Sequence, residues 1–329
     1  LSILEAVGNT PLIHLKKLSR KLGHEIYGKA EFMNPGGSVK DRAAKSILRA
    51  ALKSGQLSPG GTIVEGTAGN TGIGLATLAP SLGVQCVIVM PDNQSEEKYQ
   101  ILRALGAKLV VVKPVPFADQ NHFYHTARRL AEETPGAFWA NQFENTANAD
   151  IHFQTTGPEM WHQTNGQITD FVAATGTGGT LGGVSAFLKL QNPKIQITLA
   201  DPNGSGMHNY IQNKEIKSQG SSVTEGIGIM RLTENFKRAQ IDASLNISDE
   251  EMISMLYFLA HEEGLLVGTS AALNVFAAAK IALSHSPSTK RKIVTILCDS
   301  ALRYQSKVLN PTWLAQKNLQ PKPLEHYFK

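Results

Sequence analysis

The sequence predicts an α/β protein of two units, each a mostly parallel, twisted sheet flanked by helices. Three observations lead there: short β-rich runs alternate with helical stretches, glycine clusters fall at strand-to-helix junctions, and the alternation restarts near residue 150. With 329 residues, 42% hydrophobic and 18% charged, the chain has the make-up of a globular protein of roughly two domains. Disordered and collagen-like classes are excluded, because the 29 glycines cluster at junctions and show no period.

The first series reads "EIYGKAEF" as a strand followed by a helix opening near Ser38, then "TIVEGT" and the helix "TGIGLATLAPSLG". The strand "CVIVMP", the helix "SEEKYQILRALG" and the strand "KLVVVKP" complete it. The second series is "DFVAAT", the glycine-rich helix start "GTGGTLGGVSAFLKL", "IQITLAD", the helical pair "DEEMISMLYFLAHEEG" and "TSAALNVFAAAKIAL", and the strand "KIVTILCD". Residues 203–224 form a polar, loop-rich excursion, and the stretch from Pro311, with Pro321 and Pro323, is expected to pack on the surface as a tail.

A formal charge of +5 and a pI of about 9.1 come from basic residues scattered among acidic ones, without the sustained basic run that nucleic acid would require. A mildly positive protein handling small anions fits the charge equally well. Cys86 and Cys298 each sit in an apolar run and are expected as buried free thiols of a reducing compartment. No stretch reaches the roughly 20 apolar residues that span a membrane, and no signal peptide is visible. The sequence opens on Leu1 instead of methionine, which fits residues missing or removed upstream, and cytoplasm is the default location.

In open α/β sheets ligands collect where strand carboxyl ends meet helix amino ends. The glycine-rich junctions after Phe32, Glu65 and Thr175 all have that topology and are candidates for one shared site. In "MNPGGSVKDRAA", Ser38 and Asp41 make a capping-box-like start, which puts Lys40 at about the second helical position. The helix dipole there disfavours an ammonium, and burial pushes the amine further toward its neutral, nucleophilic form. A solvated surface lysine is the plainer reading of that spacing alone.

"ATGTGGTLGG", residues 174–183, can cradle a phosphate with backbone N–H groups at a helix start. It lacks the Gly-Lys-Ser/Thr of a Walker loop, and Leu181 stands where a dinucleotide fingerprint has its third glycine, although Asp201 keeps a ribose contact open. "EGTAGNTG", residues 65–72, offers hydroxyls and free N–H groups suited to a carboxylate; simple helix capping is the alternative.

Taken in order, "NPGGSVKDRAA", "EGTAGNTG", "NQFENTAN", "GTGGT", "EGIG" and "CDSALRY" resemble the cysteine synthase family of fold-type II pyridoxal-phosphate enzymes, over about residues 4–310. The resemblance implies a tryptophan synthase β-like fold with its active site in an interdomain cleft. It assigns residues 35–150 to a smaller domain, residues 1–34 and 151–310 to a larger one, and 311–329 to a C-terminal tail. It further implies that Lys40 carries pyridoxal 5'-phosphate as an aldimine and removes the α proton. Gly176, Thr177, Gly178, Gly179 and Thr180 would hold the phosphate, Asn70 the ring hydroxyl and Ser300 the ring nitrogen. Thr67, Ala68, Gly69, Asn70, Thr71, Gln142 and Gly226 would hold the substrate, with the carboxylate gripped by the 67–71 loop and Gln142.

The implied reaction is β-replacement, turning O-acetyl-L-serine and sulfide (or a thiol) into L-cysteine through an aminoacrylate. A hydroxyl at the ring nitrogen makes a weaker electron sink than a carboxylate would, so loss of a β leaving group competes well with racemisation. Cystathionine β-synthase and cysteine desulfhydrase chemistry share this machinery. A nicotinamide-dependent dehydrogenase on the 176–201 segment and a catalytically silent binding protein are the alternatives from other classes. Ala68 replaces a family serine, Gly268–Ala272 departs from Gly-x-Ser-Ser-Gly, and Ala301 and Leu302 replace Gly-Glu, which leaves the preferred amino acid and nucleophile open. Arg231 has two readings, an anionic leaving group and a surface ion pair, and His122 and His125 lack the partners of a metal site. A homodimer and docking of serine acetyltransferase are implied by the resemblance; neither membrane nor nucleic acid is expected.

Overall fold

A computed structural model describes residues 2–328 of the chain. Two sheets organise it. The larger has six strands: β1 (Leu12–His14), β2 (Glu25–Ala30), β7 (Asp170–Ala174), β8 (Gln196–Pro202), β9 (Ala243–Ile247) and β10 (Lys292–Leu297), in the order β1-β2-β10-β7-β8-β9. All neighbours run parallel except β1 on β2. The smaller holds β3 (Thr62–Gly66), β4 (Gln85–Pro91), β5 (Lys108–Val112) and β6 (Ala137–Trp139), all parallel, in the order β5-β4-β3-β6.

The central strands follow from their composition. Ile293, Val294, Ile296 and Leu297 in β10 are all buried, as a parallel strand covered on both faces requires. The edge strands were harder to see: β1, β6 and β9 are short and carry no clean alternation, so the sequence did not mark them. The 203–224 excursion also contains a short helix, Met207–Asn213.

Helices cover both sheets. Helix Lys40–Lys53 buries Ala44, Ile47, Leu48 and Ala51 in the smaller lobe's core, packed against helix Asn70–Leu78, and helix Thr269–Leu283 is buried almost throughout in the larger lobe. Leu4 and Val7 pack in the smaller lobe's core, although residues 12–30 contribute to the larger sheet. The segment after Pro311 is more than a surface tail, because Leu314, Leu319 and Leu324 enter the larger core. Isolated apolar residues spaced five apart give no helix or strand period, which is why the sequence does not announce that role.

This topology sets the site. The carboxyl ends of β3, β7 and β10 deliver Thr67–Asn70, Thr175–Gly179 and Cys298–Ser300, which meet between the two sheets.

Candidate active site

Lys40 enters the cleft from a segment fastened to the end of β10. Val39 N–H donates to the Cys298 carbonyl at 2.9 Å, and Ser38 pairs with Asp299. The helix begins at Lys40 itself, one residue later than the capping-box reading implies, and Ser38 Oγ accepts the Lys40 N–H at 3.2 Å. Asp41 does not complete a box: its carboxylate accepts the Gly36 N–H at 2.5 Å, and burial pushes its pKa up to about 7. The Lys40 ammonium is disfavoured chiefly by burial, opposed by the neighbouring Cys298 and Asp299 side chains.

A second brace lies behind it. Arg42 makes paired bonds to Glu31 at 2.8 Å and to Glu159 at 2.7 Å, locking the first helical turn onto the larger lobe. These partners lie far apart in the chain, and no sequence motif pointed to them.

Lys40 lines a cavity of about 360 Å³. One wall is Thr67, Ala68, Asn70, Thr71 and Gln142; the other includes Gly176, Thr177 and Gly226. Lys40 also borders a smaller cavity of about 30 Å³ enclosed by residues 176–181. Gly69 lies in the same loop as Thr67 and Asn70 but behind the wall.

The phosphate-type loop is shaped by close packing. Gly178 has φ +86°, and a Cβ there would meet the Phe236 backbone; a Cβ on Gly176 would strike the Gly226 carbonyl and one on Gly179 the Asn148 side chain. Asn148 Nδ2 donates to Thr177 Oγ1 at 3.0 Å. Thr180 Oγ1 lies 3.2 Å from Nε2 of the buried His152, whose Nδ1 is 2.8 Å from Thr156 Oγ1; no motif pointed to His152. Burial, reinforced by Arg42 and Lys40, holds His152 neutral.

The opposite wall is held by side chains. Thr71 Oγ1 donates to Gln142 Oε1 at 2.5 Å, and Gln142 Nε2 donates to Glu65 Oε1 at 2.9 Å. Burial pushes Glu65 up to about 8, against the lowering effect of its Gln142 bonds. Asn70 is clamped at both ends of its amide, with Nδ2 donating to Asp299 Oδ2 at 2.7 Å and Oδ1 accepting from Arg303 Nη1 at 2.5 Å. That fixes the amide's orientation and leaves one Nδ2 hydrogen uncommitted.

Ser300 requires a correction. It does not line either cavity; its hydroxyl donates to the Leu266 carbonyl at 3.2 Å and accepts the Leu302 N–H at 3.2 Å, capping the short helix Ala301–Tyr304. Ser270, in the segment that departs from the family pattern, lines the larger cavity together with Cys298. Asp201 is also committed elsewhere, accepting the His208 N–H at 2.7 Å, and it borders neither cavity.

The outer part of the cavity is aromatic. Arg231 pairs with Glu144 and lies 4.6–5.0 Å from the ring centroids of Phe117, Tyr124 and Phe143. His122 accepts the Tyr124 N–H at 3.2 Å, and burial, with His125 and Arg231 nearby, lowers it to about 4.

These residues fit pyridoxal phosphate. A glycine loop at the start of helix Gly179–Gln191, a buried Thr175 hydroxyl without a partner and the small cavity beside Lys40 suit a phosphate. The larger cavity beside the same lysine suits the ring and an amino acid.

Comparison with known proteins follows the same lines. A family model described as "Pyridoxal-phosphate dependent enzyme" matches residues 3–299. Cysteine synthase 1 of Emericella nidulans is 50% identical, over 99% of this chain and 90% of that protein. Cysteine synthase 1 of Neurospora crassa is 49% identical, over 98% of this chain and 87% of that one. The crystal structure of O-acetylserine dependent cystathionine beta-synthase from Helicobacter pylori superposes with a TM-score of 0.84 at 35% identity, covering 93% of this chain and 97% of that one.

Proposed function

The chain belongs to the family of pyridoxal-phosphate-dependent enzymes, and from that premise we infer that it makes L-cysteine, exchanging the acetate of O-acetyl-L-serine for sulfide at the β carbon. The observation that carries this reading is one lysine, disfavoured as a cation by burial, that borders both the small glycine-walled cavity and the larger one. Bound there, pyridoxal phosphate supplies an aldehyde for the substrate amine and a ring that draws electrons from the α carbon.

Lys40 Nζ is the proposed anchor, and once displaced it takes the α proton, a role open to an amine that is readily neutral. Residues Gly176–Thr180 donate backbone N–H groups to the phosphate, with Thr177 and Thr180 adding hydroxyls. The free Nδ2 hydrogen of Asn70 would be available to the cofactor's ring oxygen. Thr67, Thr71 and Gln142 are proposed to hold the carboxylate, with Gly69 shaping the loop behind them; Ala68 contributes only its backbone, and Gly226 closes the far side. Ser270 is proposed for the ring nitrogen in place of Ser300, supported by its position on the cavity wall beside Cys298. Residues 35–150 are taken as the smaller domain, and carboxylate binding is proposed to draw it over the cleft, excluding water. A homodimer, docking of serine acetyltransferase and action in the cytoplasm are proposed on the motif resemblance.

A second nucleophile is favoured by one observation: Phe117, Tyr124, Phe143 and Arg231 line space beyond what sulfide needs. An organic thiol such as homocysteine would fill it, giving cystathionine.

Absorption spectroscopy tests the proposal. The purified protein with pyridoxal phosphate should show a visible band that O-acetyl-L-serine displaces and sulfide restores, with one cysteine and one acetate released per cycle. Lys40→Ala should lose both the covalent band and turnover, the latter by about 10³-fold or more. A band insensitive to O-acetyl-L-serine would overturn the substrate, and faster restoration by homocysteine than by sulfide would move the reading to cystathionine.

A further inference from the structure

Lys98 is a buried lysine for which the reaction above has no task. It lies in the first turn of helix Glu96–Ala104, where the dipole disfavours a cation, with its side chain 1% exposed. Its ammonium is held at 2.5 Å by Glu225, which also binds Lys307, and rests 4.5 Å from the Tyr304 ring centroid. A buried charge in an unfavourable helical position persists when its partners over-determine it.

Its aliphatic stem points to a role. A Cβ built on Gly69 would lie 2.5 Å from Lys98 Cδ, so the backbone of the 67–71 loop rests directly on the lysine. Gly69 has φ +126°, a conformation held partly by the bond from its N–H to Thr67 Oγ1 at 3.1 Å. On the other side, Glu225 precedes Gly226, whose carbonyl abuts Gly176 of the phosphate loop. The order across the cleft is therefore Gly69, Lys98, Glu225, Gly226, Gly176.

We propose that Lys98 is a positioning residue: its stem seats the carboxylate loop, and its anchor on Glu225 fixes that loop's distance from the phosphate loop. This rests on the 67–71 loop being the carboxylate site. Asn70 is tied to the same support, because Tyr304, beneath the Lys98 ammonium, donates at 2.6 Å to the Asp299 oxygen that Asn70 also uses.

The test uses the full chain. Lys98→Met keeps much of the stem and removes the anchor, while Glu225 retains Lys307. In cofactor-free protein, amide hydrogen exchange of residues 67–73 should rise by about tenfold. In the holoenzyme, KM for O-acetyl-L-serine should rise by about tenfold with a much smaller change in kcat. Lys98→Arg should recover most of both, and Lys307→Met, which breaks the same triad without touching Gly69, should leave both near wild type. If Lys98→Met does not fold, Glu225→Gln frees the anchor from the other side and should give the same pair of changes.

Unchanged exchange of the loop would overturn the proposal, as would faster exchange with unaltered KM or an equal effect from Lys307→Met. A wild-type protein that ignores O-acetyl-L-serine would defeat the functional reading instead, and the exchange measurement would still decide whether Lys98 seats the loop.

Discussion

The two glycine-bearing loops that face each other across the cleft are built on different supports. In the phosphate loop, the space beside Gly176 and Gly178 is filled by backbone, the Gly226 carbonyl and the Phe236 N–H and Cα. In the carboxylate loop, the space beside Gly69 is filled by the stem of Lys98 and that beside Gly72 by Ile88 and Thr67 side chains. Backbone cannot yield without moving a whole element, whereas side chains shift rotamers. In the proposed function, the loop backed at Gly176 and Gly178 by backbone would be the fixed cradle for a cofactor, and the loop backed by side chains would adjust to a substrate.

Gly178→Ala is the sharpest way to break this contrast. A left-handed φ of +86° and the Phe236 backbone both oppose a methyl group, so the cost should be about 2–4 kcal/mol, read as thermal destabilisation and as lost pyridoxal phosphate affinity. Gly69→Ala also meets a backbone penalty, because φ is +126°, but its clash is with the Lys98 stem, so besides lost stability it should raise KM for the amino acid and leave cofactor affinity close to wild type. The reverse pattern would mean that the rigid and adaptable loops have been exchanged.

The carboxylate wall carries a second signature in pH. Glu65, beneath Gln142, has its folded-state pKa raised from 4.5 to about 8 by burial. Between those values the unfolded chain releases a proton that the folded protein keeps, so this group makes stability fall as pH rises, by roughly 1.4 kcal/mol per pH unit at most. Denaturant titrations from pH 5 to 8 should show a flatter profile for Glu65→Gln than for wild type. Equal slopes would mean that Glu65 is ionised in the folded protein. No group of the phosphate loop titrates, so substitutions there should leave the slope alone.

What the sequence disclosed follows the same division. The phosphate loop was legible because a glycine cluster between strand and helix is a local constraint, written in consecutive residues. Lys40 was legible for the same reason, at a helix start after "NPGG". Long-range supports were not: Asn70 and Asp299 are 229 residues apart, and Lys98 and Glu225 are 127 apart. Nothing in the spacing of Arg42, Glu31 and Glu159 announces a cluster. Strands β1, β6 and β9 escaped because their pairing, and no alternation of their own, makes them strands.

The smallest effects separate two serines that the sequence could not rank. Ser300 follows the strand end within the family motif, but the chain turns there and its hydroxyl serves as a helix cap. Ser300→Ala should therefore cost about 1 kcal/mol of stability and leave the cofactor's absorption spectrum unchanged. Ser270 sits on the cavity wall in a stretch whose flanking residues depart from the family, and Cys298 lies beside it. Ser270→Ala should leave stability nearly unaltered while shifting the bound cofactor's spectrum and lowering turnover about tenfold, the equivalent of one lost neutral hydrogen bond. A spectral shift in Ser300→Ala instead would place the ring nitrogen at the motif serine, and the local motif would then have outranked the geometry. The physical argument runs the other way, because a hydroxyl already accepting an N–H and donating to the Leu266 carbonyl has no hydrogen left for a ring nitrogen.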